Sequence, residues 1–188
     1  MLGFATEVIH STTMRRLLLL RHAKAERSEA GMEDRVRKLI ERGRKDAAKM
    51  GAYMASHGLV PDRVMASPAA RTQETWKFAA AAFRPAPALT SPERLYNAAP
   101  TAILGVIKEV PAAAHTLLVV GHNPGLHELA LMLIASGNIE MREQLREKLP
   151  TSSLVIIDFA LDGWGKLHAQ SGRLERLVTP KSLGASAG

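Results

Sequence analysis

The chain has 188 residues and no cysteine, with 46% hydrophobic and 4% aromatic residues, and 25 Lys+Arg against 18 Asp+Glu for a formal net charge of +7. That length suits one domain with a sizeable core, and the composition is too apolar for a disordered chain. Without cysteine there is no disulfide framework, no thiolate-held zinc or iron–sulfur centre and no cysteine nucleophile.

Residues 1–13 show no periodicity and precede a second methionine, Met14, so residues 1–14 read as an N-terminal extension. The run Leu17-Leu18-Leu19-Leu20 is continuous and apolar and breaks at Arg21-His22. Such a run is far shorter than a membrane span of about 20 residues or a leader core of about 7 to 15, and a cytoplasmic protein is expected. It reads as a buried parallel strand ending in a polar loop. A basic, flexible stretch over 24–33 follows. Residues 37–57 read as a helix, with Leu39, Ala47, Met50 and Met54 on one face and His57-Gly58 as its stop. A short strand over 63–66 leads to Ser67-Pro68, where Ser67 can cap a helix over 69–83. Three prolines make 84–92 a loop. Pro100 opens a helix through 110, and 116–120 is a second wholly apolar strand. It ends in Gly121-His122-Asn123-Pro124, before a helix over 125–136. Residues 140–148 form a charged, exposed helix. Segments 153–161 and 166–174 flank Asp162-Gly163-Trp164-Gly165 and read as a closing β-hairpin. Strands and helices alternate for most of the length, which predicts an α/β domain with a mainly parallel sheet and helices on both faces.

In open α/β sheets the active crevice lies beyond the carboxyl ends of the strands. Three predicted strands end there in polar residues: the first delivers Arg21-His22, the second Ser67 with Arg71 a turn later, the third His122-Asn123. Each has an ordinary alternative, namely a surface loop for Arg21-His22, a tight turn for residues 121–124, and solvation or a salt bridge, as to Glu74, for Arg71. Together, two histidines, two arginines and a helix N-terminus at one place suit a phosphoryl group, because guanidinium forks match phosphate oxygens and exposed helix N–H groups bind anions. The basic balance fits an anionic partner, since residues 1–50 hold 12 Lys+Arg and 7 Asp+Glu, +5 of the +7. With 4 Phe, 2 Trp and 2 Tyr the chain offers little for stacking on bases, and no nucleic-acid partner is expected.

The segment Leu-Leu-Leu-Arg21-His22-Ala23-Lys24-Ala25 resembles the signature of the histidine phosphatase superfamily, which also contains cofactor-dependent phosphoglycerate mutases. Within it, the following segments resemble the small SixA-type phosphohistidine phosphatases: Arg37-Lys38-Leu39 with Gly43, Ser67-Pro68-Ala69-Ala70-Arg71-Thr72-Gln73-Glu74-Thr75, Leu95-Tyr96, Val120-Gly121-His122-Asn123-Pro124-Gly125, and Pro150-Thr151-Ser152. The likeness runs over roughly residues 15–183, leaving 184–188 as a C-terminal tail. It implies a phosphoglycerate-mutase-like three-layer α/β/α sandwich, a phosphohistidine formed on His22, and a phosphate pocket of Arg21, Arg71 and His122. It implies no metal and no cofactor. Ala23 stands where many members have glycine, and SixA-like relatives often have alanine at this place. Glu93 is the nearest candidate for the general acid of ester-cleaving members, or else a surface residue. Lys24 either adds charge at the pocket mouth or is solvated; Asn123 either binds phosphate or shapes its turn; Ser67 joins the phosphate contacts.

The expected activity is therefore metal-independent phosphoryl hydrolysis on a phosphohistidine-containing protein, with small phosphate esters or non-catalytic phosphate binding as alternatives. A mutase is disfavoured by the short chain, and no membrane partner is expected. His10, His57, His115, His127 and His168 match no motif and read as structural or solvent-facing, Trp76 and Trp164 as packing.

Overall fold

The computed structural model describes residues 13–185. Strand β1 (Met14–Arg21) carries the four leucines, all fully buried. Successive strand side chains point to opposite faces, so such a run is stable only with both faces covered. Leu17 and Leu19 join one core cluster, Leu18 and Leu20 another. Each buried leucine contributes about 1.5–3 kcal/mol of transfer free energy.

The other elements are α1 (Glu41–Ser56), β2 (Arg63–Ala66), α2 (Ala70–Ala80), β3 (Leu89–Thr90), α3 (Pro100–Lys108), β4 (Thr116–Gly121), α4 (Gly125–Leu133), β5 (Ile134–Gly137), α5 (Ile139–Glu147), β6 (Leu154–Ala160), β7 (Gly172–Val178) and α6 (Pro180–Ala185). Seven strands form one sheet in the order β3-β2-β4-β1-β6-β7-β5. The pairs β3/β2, β2/β4, β4/β1 and β5/β7 are parallel, while β6 runs antiparallel to both β1 and β7. Met50 and Met54 of α1 with Trp76 and Ala79 of α2 cover the Leu18/Leu20 face. Ile103, Val106 and Ile107 of α3 with Leu126 and Leu129 of α4 cover the Leu17/Leu19 face. The result is the expected α/β/α sandwich, of the phosphoglycerate-mutase-like fold.

Several boundaries differ from the sequence reading. The first helix begins at Glu41, because the chain before it spends its polar groups elsewhere: Leu39 bridges to Ala25, Leu39 N donates to Glu74 Oε2 at 2.6 Å, and Asp34–Val36 forms a 3-10 turn. Ser67 does not cap α2, since Ala69 holds the N-cap position and the closest bond of the Ser67 hydroxyl is to a histidine across the site. The helix expected to reach 136 stops at Leu133, and Ile134–Gly137 becomes an edge strand on β7; a short apolar run has no period that separates the two. Strands β6 and β7 do pair antiparallel, yet Asp162-Gly163 makes no two-residue turn. Trp164 drops into the core and donates from Nε1 to Ala114 O at 2.7 Å, so the chain makes a 3-10 turn over Trp164–Lys166 and β7 starts only at Gly172. Burying an indole with its N–H satisfied outweighs the preference of Asp-Gly for a tight turn.

Of the proposed N-terminal extension, residues 1–12, and His10 with them, lie outside the described residues, while Met14 already belongs to β1. Residues 186–188 of the proposed tail also lie outside them. No helix among the described residues is long and apolar enough to cross a membrane.

Candidate active site

The parallel register sets three side chains in a row. Arg21 lies opposite Gly121 and Ala66 opposite Val120, so the residues just past β1, β4 and β2 are His22, His122 and Ser67. The ladder continues one step beyond the strands, with His22 N donating to Gly121 O and Ser67 N to Val120 O, both at 3.1 Å. The His22 and His122 ring centroids are 5.5 Å apart, and His122 Nε2 lies 2.6 Å from Ser67 Oγ.

The first turn of α2 adds Arg71, which is 3% exposed. Thr75 fixes that turn against the first strand's exit: its hydroxyl donates to Arg71 O at 2.6 Å and accepts from Ala23 N at 2.9 Å. Ala23 packs with Leu39 and Ala47, so the methyl group that replaces the common glycine fills a small apolar niche. The far wall is the segment before β6. Arg21 Nη1 and Asn123 Nδ2 both donate to Leu149 O, at 2.8 and 3.0 Å, and Ser152 N donates to the carbonyls of Arg21 and His22, each at 3.1 Å. Gly125 is required where α4 begins, because a Cβ there would stand 1.8 Å from Ala98 O.

A second layer centres on Asp34. Its carboxylate accepts from Arg37 Nε and Nη2 at 2.9 and 2.6 Å, from Arg71 Nη2 at 3.0 Å and from the Tyr96 hydroxyl at 2.7 Å, while its backbone carbonyl takes Arg71 Nη1 at 2.8 Å. The Tyr96 hydroxyl, then Arg37 and Arg71, hold the Asp34 carboxyl well below the ordinary carboxylate range against the opposing effect of burial. Tyr96 also meets the His122 ring edge-on at 5.8 Å. Asp34 gave no sequence signal. Arg37 and Tyr96 stood in motif segments, without a hint that a carboxylate would join them.

The histidines are electrostatically distinctive. Burial, opposed in part by the hydrogen bond to Ala23 and reinforced by the Arg21, Arg71 and Arg37 cations, lowers His22 from 6.5 to about 4. Burial first, then Arg71 and His22, lowers His122 to about 3. Burial also lowers Arg21, which remains a cation at neutral pH. His22 Nδ1 is 2.8 Å from Ala23 O. A carbonyl only accepts, so Nδ1 carries the proton and Nε2 keeps its lone pair. Arg21 Nε, Arg71 Nε, His122 Nδ1 and Ser152 Oγ are buried without a hydrogen-bond partner among the described residues. Unpaired buried donors are costly, and a phosphoryl group's oxygens would supply acceptors.

The structure thus gathers Arg21, His22, Ser67, Arg71, His122 and Asn123 into one cluster past the strand ends. Two sequence candidates fall outside it. Lys24 is exposed and lines a neighbouring groove. Glu93, its side chain 70% exposed, pairs with Arg35 at 2.5 Å, and the Arg35 guanidinium lies over the Tyr96 ring.

A phosphoglycerate-mutase-like sandwich with neutral imidazole and guanidinium groups past its parallel strands defines a phosphoryl-handling class of protein. Residues 17–99 match the family model of the histidine phosphatase superfamily, branch 1. The Mycobacterium tuberculosis protein MT1313 is 34% identical over 143 residues, 75% of this chain and 87% of that one. Among solved structures, the proteins of Nakamurella multipartitia and Agrobacterium tumefaciens assigned as the phosphohistidine phosphatase SixA superpose with TM-scores of 0.77 and 0.75. They are 26% and 27% identical, with 89% and 88% of this chain and 96% and 98% of theirs covered. The chain belongs to the histidine phosphatase superfamily and is of its SixA type, and these likenesses support phosphatase activity.

Proposed function

We propose that this phosphatase works without a metal, through a phosphohistidine formed on His22, and that its substrate is a phosphohistidine-bearing protein. The observation that carries the reading is the His22 ring itself: Nδ1 is tied to Ala23 O at 2.8 Å and protonation is suppressed to about pH 4, so Nε2 presents a lone pair at neutral pH. In the first step Nε2 attacks phosphorus in line, the P–N bond to the substrate imidazole breaks, and the departing imidazole takes a proton from water. In the second, water attacks the phosphohistidine, the P–Nε2 bond breaks, and inorganic phosphate leaves. Splitting one displacement into two lowers each barrier. Arg21 and Arg71 offset the charge spread over the equatorial oxygens, and His122, with its free Nδ1 edge, faces the same group.

An imidazole leaving group demands less acid assistance than an alkoxide. Glu93, paired with Arg35 outside the cluster, is then not needed as a general acid. The two SixA-assigned structures, at 26% and 27% identity, support phosphohistidine over esters as the substrate class. Phosphate release from a phosphohistidine protein should fall on the order of 10³-fold or more in His22→Ala. Turnover by that variant equal to wild type would overturn the proposal.

A further inference from the structure

Beside the histidine and arginine cluster lies a groove of about 630 Å³, with residues 148–152 between the two. On one side of residues 148–152, Leu149 O and Ser152 N bind the Arg21/His22 segment. On the other, Lys148, Pro150 and Thr151 line the groove, together with Lys24 and with Lys181 of α6. The topology explains the adjacency. β7 runs parallel to β1 with β6 between them, so the end of β7 that leads to Lys181 lies at the same sheet edge as His22. A second hollow continues along α1, sharing Arg42, Asp46, Pro180 and Lys181 and adding Lys45 and Lys49.

Six cationic side chains line this trough against three carboxylates, Glu41, Asp46 and Glu147, a net of +3. Arg42 pairs with Asp46 at 3.8 Å and Lys45 with Glu41 at 2.8 Å. Lys24, Lys49, Lys148 and Lys181 are exposed and have no ion-pair partner among the described residues. Four unpaired ammonium groups against one unpaired carboxylate, Glu147, give the trough a net positive field beside the phosphoryl site. No aromatic side chain lines either hollow, so nothing there would stack on a base, while Pro150, Leu177 and Pro180 give apolar footing.

We propose that this trough docks an acidic polypeptide surface flanking the phosphorylated residue of the substrate protein. The proposal rests on the reading of His22 above and adds where the protein substrate is held. Electrostatic complementarity of this kind sets encounter rate and partner choice. Small phosphoramidates would use the cluster alone and ignore the trough.

The test reads binding apart from turnover. Fluorescein-labelled histidine peptides flanked by glutamates or by glutamines are titrated against wild type and Lys148→Glu/Lys181→Glu, alongside an oligonucleotide. Hydrolysis of phosphoramidate is measured in parallel. The glutamate peptide should bind about tenfold tighter than the glutamine peptide at low salt, and the preference should vanish near about 0.5 M salt and in the variant. Phosphoramidate turnover should stay within about twofold of wild type, since neither lysine belongs to the cluster. Equal affinity for both peptides in wild type, a preference that survives the double substitution, or an oligonucleotide bound more tightly than the glutamate peptide would each overturn the docking proposal. Failure of wild type to hydrolyse phosphoramidate would instead overturn the His22 mechanism and leave the binding result standing.

Discussion

A histidine attacks phosphorus only while it is neutral, and His22 stays neutral because burial and three guanidiniums oppose its protonation. Its folded-state value of about 4 lies below the unbound 6.5, so the unfolded chain takes up a proton first as pH falls. The stability contribution of this ring is complete above about pH 6.5 and is lost as pH drops toward 4, and His122, lowered to about 3, acts in the same direction. Two outcomes follow. Denaturant midpoints should fall between pH 6.5 and 4 more steeply for wild type than for His22→Ala. The acidic limb of kcat/KM, corrected for the ionisation of the substrate, should fall near pH 4 and not near 6.5. A limb at 6.5 would mean that the ring is not shielded as described. The clustering of Arg21, His22, Arg71 and His122 was legible in sequence because each sits where an apolar strand ends or in the first turn of the helix that follows one. Asp34 was not, since a lone carboxylate in a polar stretch carries no period and no spacing.

The stretch between β1 and α1 shows what element-level patterns miss. The sequence reads as flexible over 24–33 and helical from 37, yet the stretch is pinned by Ala25 to Leu39, by Arg37 Nη1 to Glu26 O at 2.8 Å, and by the bonds of Asp34 to Arg37, Arg71 and Tyr96. These are contacts between elements distant in sequence, which local propensity does not encode. Gly43 records the same packing, since a Cβ there would stand 2.1 Å from Lys24 O. Asp34 occupies Arg71 and offsets positive charge close to His122. Asp34→Asn should lower kcat by mispositioning Arg71 and tighten inhibition by inorganic phosphate on the order of tenfold, as a charge opposing the anion is removed. Unchanged phosphate inhibition with a rise in KM alone would show that Asp34 acts only as a scaffold. The edge strand β5 and the long β6–β7 connection were hidden for a related reason: both depend on what the segment packs against, Leu174 in one case and the core around Trp164 in the other.

The whole molecule is organised by two runs of residues buried on both faces, β1 and β4, whose shared end collects the chemistry. That architecture was readable because a continuous apolar run admits few other arrangements. The net charge of +7 was readable as an attraction for anions, but not its division between a cluster of arginines and a trough of lysines. The direct test of the central claim is rapid acid-free quenching of the protein with a ³²P-labelled phosphohistidine substrate, followed by peptide mapping. The account predicts an acid-labile, alkali-stable label on the peptide that contains His22, formed within the first turnover and absent in His22→Ala. Label on His122, or steady hydrolysis with no labelled protein at any quench time, would contradict it.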